Sequence, residues 1–371
     1  MQIIADSLKK YFLNLQNKNY PNSDTKEICY WLKEYIHSKN SYISYRTVTF
    51  RFFLWIQYHN IRLKSLKRKH VLDYISFMQN PAPEWCGTCR SFESSEWRPF
   101  KKGLSPGSIY HNIKILRQMY MYFNNIGYLK KNPFYINIKY HNIVKERFID
   151  RSLSKEECML ILDYAKSLPD YSYSEKERKI RIIWILQLLL YTGGRRSETN
   201  LSNMSDFTYI NKRLWLRVIG KGNKVGDIPV LKSLEDELNK YRAFYNLTPI
   251  SKRKEDESHI PIIIKSKNNN EYERLNTAHI YYIIKQLCNN LANTIEDEIL
   301  AKKLRKVSPH WFRHTSATLQ VESGIDLHIV QQNLRHSSIN TTMQYVHTSK
   351  NQQHDETLLK FNLDNTNIVD N

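Results

Sequence analysis

The chain has 371 residues, 41% of them hydrophobic and 25% charged, which excludes a disordered polymer and is too long for one ordinary core. Its 56 Lys and Arg outweigh 36 Asp and Glu by a formal charge of +20, a field that draws polyanions, with DNA or RNA first. No apolar run is long enough to cross a bilayer, and five mostly scattered cysteines fit a reducing cytoplasm better than a disulfide framework.

The first stretch, MQIIADSLKKYFLNLQ, is amphipathic with interleaved charges, unlike a secretory signal. Apolar stripes at helical spacing then recur in ICYWLKEYIHSKN, RTVTFRFFLWIQYHN and HVLDYISFMQN. A polar insertion at about 81–103 follows, rich in Pro, Gly and Ser and bearing Trp85 and Trp97. Its Cys86-Gly-Thr-Cys89 has zinc-ligand spacing, but no second pair completes a tetrahedral site, so two ordinary thiols and no metal are expected. Ser105-Pro106 opens another helix that ends near Asn125 to Gly127. About four helices and no strand are predicted for a first domain over 1–145, with the boundary falling in a charged linker near 141–152.

The second domain, 146–371, opens with a capping box, Ser154 with Glu157 three residues on. IRIIWILQLLLYTGG is apolar on nearly every side and reads as a helix buried in a core. RLWLRVIG and VGDIPVL form a hairpin across Lys221-Gly-Asn-Lys. Helices resume at TAHIYYIIKQLCNNLAN and run to Tyr345, followed by a polar tail with one apolar cluster at Leu358, Leu359 and Phe361.

Several residues in this half can handle a phosphate. Arg195 follows the buried helix, with Glu198 three residues later, and Lys221 sits between glycines at the hairpin tip. His310 and Arg313 share a helical face at i, i+3, where both reach the same anionic oxygens. His336 and Tyr345 complete the set. Each feature alone is ordinary, but their joint order is hard to assemble by chance.

On TGGRRSE, VIGKGNK, HWFRHTSAT, LRHSS and Tyr345, the sequence resembles the tyrosine recombinases of the phage-integrase superfamily, from about Arg151 to Tyr345. The helical first half is similar, more loosely, to that family's core-binding domain. The resemblance implies a mainly α fold with a small β-sheet: a helical, SAM-like core-binding domain and an α+β catalytic domain, closing as a C-shaped clamp on DNA. It implies the catalytic residues Arg195, Lys221, His310, Arg313, His336 and the nucleophile Tyr345, with Glu198 steadying the site from behind. Two positions depart from the family pattern. Arg335 stands where Gly is common, implying an altered turn or an added phosphate contact, and Gly194 stands where an apolar residue is usual.

By the same resemblance, Tyr345 attacks a phosphodiester to give a 3′-phosphotyrosyl link without metal, ATP or other cofactor. His310 is the candidate base and Lys221 the candidate acid for the leaving 5′-hydroxyl. The expected partners are double-stranded DNA with paired recognition sites and further copies of the chain in a tetramer, in the cytoplasm of a prokaryote, phage, plasmid or other mobile-element host. Candidate DNA contacts are Arg46, Arg51, Ser108, His111 and Lys114 in the first domain, and Asn223 and Lys224 in the hairpin. A type IB topoisomerase-like relaxing enzyme and a catalytically silent DNA-binding regulator are the rival readings.

Overall fold

The computed structural model describes residues 2–15, 19–88, 90–134, 151–220, 224–268 and 271–346. The chain divides into two compact units, Met1–Phe148 and Ile149–Asn371. No helix among the described residues is long and apolar enough to cross a membrane.

The first unit is helical: α1 Gln2–Leu13, α2 Ser23–Lys33, α3 Lys39–Tyr58, α4 Arg68–Gln79 and α5 Pro106–Asn125. The N-terminal stretch thus adds a helix to the four expected. Asn22 caps α2 through Thr25 N–H at 2.8 Å, and Ser105 caps α5 with Pro106 in its first turn. Helix α3 buries Phe50, Phe52, Phe53, Leu54, Trp55 and Ile56 in succession, which places it at the centre of the core.

The 81–103 insertion belongs to that core. Trp85, Phe92, Trp97 and Phe100 are buried. Its two ends are paired by Phe100 N–H to Trp85 O (3.0 Å) and Gly87 N–H to Phe100 O (2.9 Å). Phe50 meets Phe92 and Trp97 edge-on at 4.9 and 5.5 Å, and Trp85 meets Phe77 at 5.0 Å. Polar composition hid this role, because four aromatics carry the packing while Thr88, Arg90, Ser91, Glu93, Ser95 and Glu96 between them are exposed. Trp85→Ala is therefore expected to cost about 3–5 kcal/mol, read as a lowered urea midpoint. A loss below about 1 kcal/mol would mean the insertion is peripheral.

The second unit begins with α6 Lys155–Lys166, whose capping box forms as the sequence predicts: Ser154 N–H donates to Glu157 Oε2 at 2.8 Å, and Glu157 N–H to Ser154 Oγ at 3.2 Å. Helix α7, Tyr173–Thr192, is the buried apolar one. Short α8, Arg196–Leu201, leads to an antiparallel sheet of β1 Phe207–Ile210, β2 Arg213–Ile219 and β3 Val225–Pro229. Strands β2 and β3 are the expected hairpin, with Val218 opposite Gly226 and Gly220 N–H donating to Lys224 O at 2.8 Å.

Helix α9 spans Lys232–Phe244, and a second hairpin pairs β4 Ile264–Asn268 with β5 Glu271–Arg274. That hairpin was not expected, since its strands are short and charged. It is held through neighbours: Trp184 of α7 donates to Ile262 O at 2.7 Å, and Ile264 N–H donates to Tyr241 Oη at 2.8 Å. The chain closes with α10 Thr277–Ala292, α11 Glu298–Leu304, α12 Pro309–Glu322, α13 Leu327–Leu334 and α14 Ile339–Met343. Each unit is mainly helical, and the only sheets among the described residues are the two small ones of the second unit.

Candidate active site

Helix α12 carries the His310 and Arg313 pair, and Pro309 suits its first turn because no N–H is needed there. Trp311 and Phe312 fill the core on its other side. Arg313 is 3% exposed. Its Nη1 donates to Gly193 O at 2.7 Å and its Nη2 to Leu334 O. Both carbonyls lie at helix C-termini, where unpaired acceptors carry partial negative charge and hold a cation well. Gly193 ends α7 with φ +55°, and a Cβ there would stand 2.5 Å from Leu334 Cδ2. Only glycine closes this junction. Burial, with the charges of Arg195 and Arg335, lowers the Arg313 pKa to about 10, so it stays a cation at neutral pH.

Arg195 immediately precedes α8 and keeps 43% of its side chain exposed while donating through Nη1 to Glu198 Oε1 at 2.6 Å. Glu198 is 4% exposed and also accepts from Arg195 N–H (3.3 Å) and from Arg335 Nη2 (2.6 Å). Burial would raise its pKa, but the Arg195 hydrogen bond and the Arg335 charge outweigh that and hold it below the usual carboxylate range. Gly194 is filled from outside: the Thr199 methyl lies 2.3 Å from where a Cβ would stand, and Gly194 N–H donates to Thr192 Oγ1 at 3.1 Å.

The Tyr345 hydroxyl lies 2.7 Å from His314 Nδ1. His314 in turn meets His310 ring to ring at 4.3 Å. The His336 ring lies nearly parallel to Tyr345 (6.3 Å, 12°), and its Nδ1 is 2.9 Å from Thr342 Oγ1, which fixes the ring and leaves Nε2 for a ligand. Burial, then the Arg313 and Arg195 charges, brings His336 down to about 4. Burial, then His310 and Arg151, brings His314 to about 4 as well. His310 is lowered by burial and by Arg313. Burial raises Tyr345, and the Arg313 charge partly opposes it. At neutral pH the tyrosine is therefore a phenol beside a neutral imidazole, whose Nδ1 accepts its hydrogen bond in the Nε2–H tautomer, while the burial that keeps the ring neutral also weakens it as a base.

Arg195, Glu198, His310, Arg313, His336 and Tyr345 thus converge, and the Arg195 charge acts on His310, Arg313 and His336 alike. Lys221 and Asn223 lie outside the described residues, as do Cys89, residues 135–150, which take in most of the expected 141–152 linker, and the tail from 347. Lys224 is exposed beside the tip. His314 is not among the residues that the sequence motif marks, although its spacing from His310 (i, i+4) puts both on one helical face.

In the first unit, Ser108, His111 and Lys114 are exposed at three-residue intervals along α5. Arg51 differs from expectation. Its Nε and Nη2 donate to Pro99 O at 2.9 and 2.7 Å, and its guanidinium lies 4.4 Å over Phe100. Arg46 similarly covers Phe92 at 4.4 Å. Both cations hold the insertion, because buried aromatic faces and a free carbonyl offer them partners inside the unit.

The model of the phage integrase family matches residues 151–352. Among curated relatives, the tyrosine recombinase XerC of Pediococcus pentosaceus is 30% identical over 254 residues, 68% of this chain and 74% of that one. XerC of Staphylococcus carnosus is 24% identical over 332 residues, 89% and 94% of the two chains. Among solved structures, the Tn1549 transposon integrase in complex with circular intermediate DNA aligns with a TM-score of 0.62 at 15% identity, covering 90% of this chain and 98% of that one. The XerH recombinase bound to palindromic difH substrate aligns with a TM-score of 0.60 at 18% identity, covering 97% and 95%. At such identities the two structures speak for the fold alone.

Proposed function

The chain belongs to the phage integrase family, and from that membership we propose that it is a site-specific DNA recombinase that cuts and rejoins duplex DNA through Tyr345. The observation that carries this reading is the Tyr345 hydroxyl, 2.7 Å from a neutral imidazole inside a cluster of fixed cationic and hydrogen-bond donors.

The chemistry follows from the charges. A phosphodiester repels an anionic nucleophile, and its transition state gathers charge on the non-bridging oxygens. Arg195 and Arg313 offer guanidinium donors to those oxygens, with His310 and His336 adding N–H donors. His314 Nδ1 takes the phenolic proton as Tyr345 Oη bonds to phosphorus. The bond from phosphorus to the 5′-oxygen breaks, and that oxygen takes a proton from Lys221. The 3′-phosphotyrosyl ester keeps the bond energy, so a 5′-hydroxyl from a second end reverses the step with no external energy source.

Binding would engage the exposed row Ser108, His111 and Lys114 of α5, and Asn223 and Lys224 of the hairpin, on duplex DNA carrying paired sites. Four copies in a synapse would exchange strands, in the cytoplasm of a cell hosting a mobile element. Arg46 and Arg51 would act on DNA indirectly, by holding the insertion.

A duplex nicked next to the crossover, which loses the 5′-hydroxyl needed for reversal, traps the covalent adduct. His314→Ala is expected to slow adduct formation about 10²–10³-fold with duplex affinity unchanged. A His314→Ala rate equal to wild type, with His310→Ala inactive, would return the role of base to His310. No adduct from wild type on any cognate duplex would overturn the recombinase reading.

A further inference from the structure

Arg335 ends α13 in the left-handed region, with φ 53° and ψ 47°. Glycine or asparagine takes that conformation readily, and a long side chain keeps it only where its surroundings impose it. Here the surroundings are specific. Arg335 Nη2 forms an ion pair with Glu198 Oε2 at 2.6 Å, although 137 residues separate them. Its aliphatic stem lies on Gly226 of β3, where a Cβ would stand 2.5 Å from Arg335 Cδ. A Cβ on Gly220, at the end of β2, would stand 3.2 Å from Glu198 Oε1. The two glycines at the neck of this hairpin therefore admit the two partners of one ion pair.

We propose that Arg335 is a positioning residue, a latch that clamps Glu198 against β2 and β3 and through it fixes Arg195. Its left-handed backbone also sets the entry to His336, whose N–H donates to Gln331 O at 3.0 Å. Glu198 is shared evenly: one oxygen faces Arg195 Nη1 and the other faces Arg335 Nη2. Without Arg335, the buried carboxylate would keep one cation and could swing toward it, drawing the Arg195 fork away from the phosphate. Arg335 itself is not placed as a phosphate ligand. Nη2 serves Glu198, Nη1 donates to Asn333 O at 3.2 Å, and Nε is buried with no acceptor among the described residues. Of the two meanings an arginine at this position could have, the geometry points to the turn and its ion pair.

The latch rests on the recombinase reading for its effect on rate, but the ion pair can be tested without DNA. Arg335→Gln, Arg335→Gly, Arg335→Lys and Glu198→Gln are made alone, and Arg335→Gln also with Glu198→Gln. On the nicked duplex, Arg335→Gln and Arg335→Gly are expected to slow adduct formation about tenfold or more at unchanged duplex affinity, with Arg335→Lys recovering part of the loss. In the Glu198→Gln background, Arg335→Gln is expected to add less than about threefold, because the partner it acts through is gone. Wild-type rates for both Gln and Gly variants would overturn the latch. Equal fold losses in both backgrounds would also overturn it, marking a direct phosphate contact. If wild type forms no adduct, the recombinase reading fails and the pair is judged by thermal unfolding. Melting-temperature losses of the single variants that exceed that of the double sustain the latch, and strictly additive losses refute it.

Discussion

Tyr345→Phe is expected to lower covalent capture of a nicked duplex by at least about a thousandfold, because it removes the only atom that forms the bond to phosphorus. Duplex affinity should stay within about twofold of wild type, since the ring itself is retained. That ring packs with Ala317, Val330 and Leu334 and lies alongside His336, and none of these contacts needs the hydroxyl. The stability cost should be about 1–2 kcal/mol, from leaving the His314 nitrogen without its partner. Capture kinetics, fluorescence anisotropy with labelled duplex and urea unfolding separate these three effects. An unfolded variant or lost binding would mean that Tyr345 is chiefly a core residue.

Arg313→Gln should be nearly as damaging, for two reasons that act together. On the proposed mechanism it removes a cation that stabilises the transition state at phosphorus, expected to slow adduct formation about 10²–10⁴-fold. It also strips charged donors from Gly193 O and Leu334 O at a fully buried junction, expected to cost about 2–4 kcal/mol of unfolding free energy. Arg313→Lys should restore little of either, because one ammonium cannot span two carbonyls and still face a phosphate. Rates and urea midpoints of both variants check this. Full activity in the lysine variant would mean that a point charge suffices and the planar fork is irrelevant.

The parts of the molecule legible in the sequence are those fixed by local rules. Ser154 and Glu157 announce a helix start because the capping box closes within four residues. The β2–β3 hairpin is visible because its turn carries glycine between two alternating strands. His310 and Arg313 are legible as a pair because helical spacing alone aligns them. What stayed hidden is long-range. The charged strands β4 and β5 exist because Trp184 and Tyr241 hold the segment that leads into them, from far along the chain. Arg51 read as a surface cation until Pro99 and Phe100 folded over it. His314 looked like a neighbour of the signature arginine, and only the return of the chain at Tyr345 gives it a partner. Arg335 stands out in the sequence for the glycine it replaces, but its bond to Glu198 has no local signature.

Tyr345 as the nucleophile is tested most directly by digesting the trapped adduct with protease and sequencing the DNA-linked peptide by mass spectrometry. A single modified residue is expected, Tyr345, joined through its phenolic oxygen to the 3′-phosphate of the cleaved strand. A nucleotide found on any other residue, or a link to a 5′-phosphate, would contradict it.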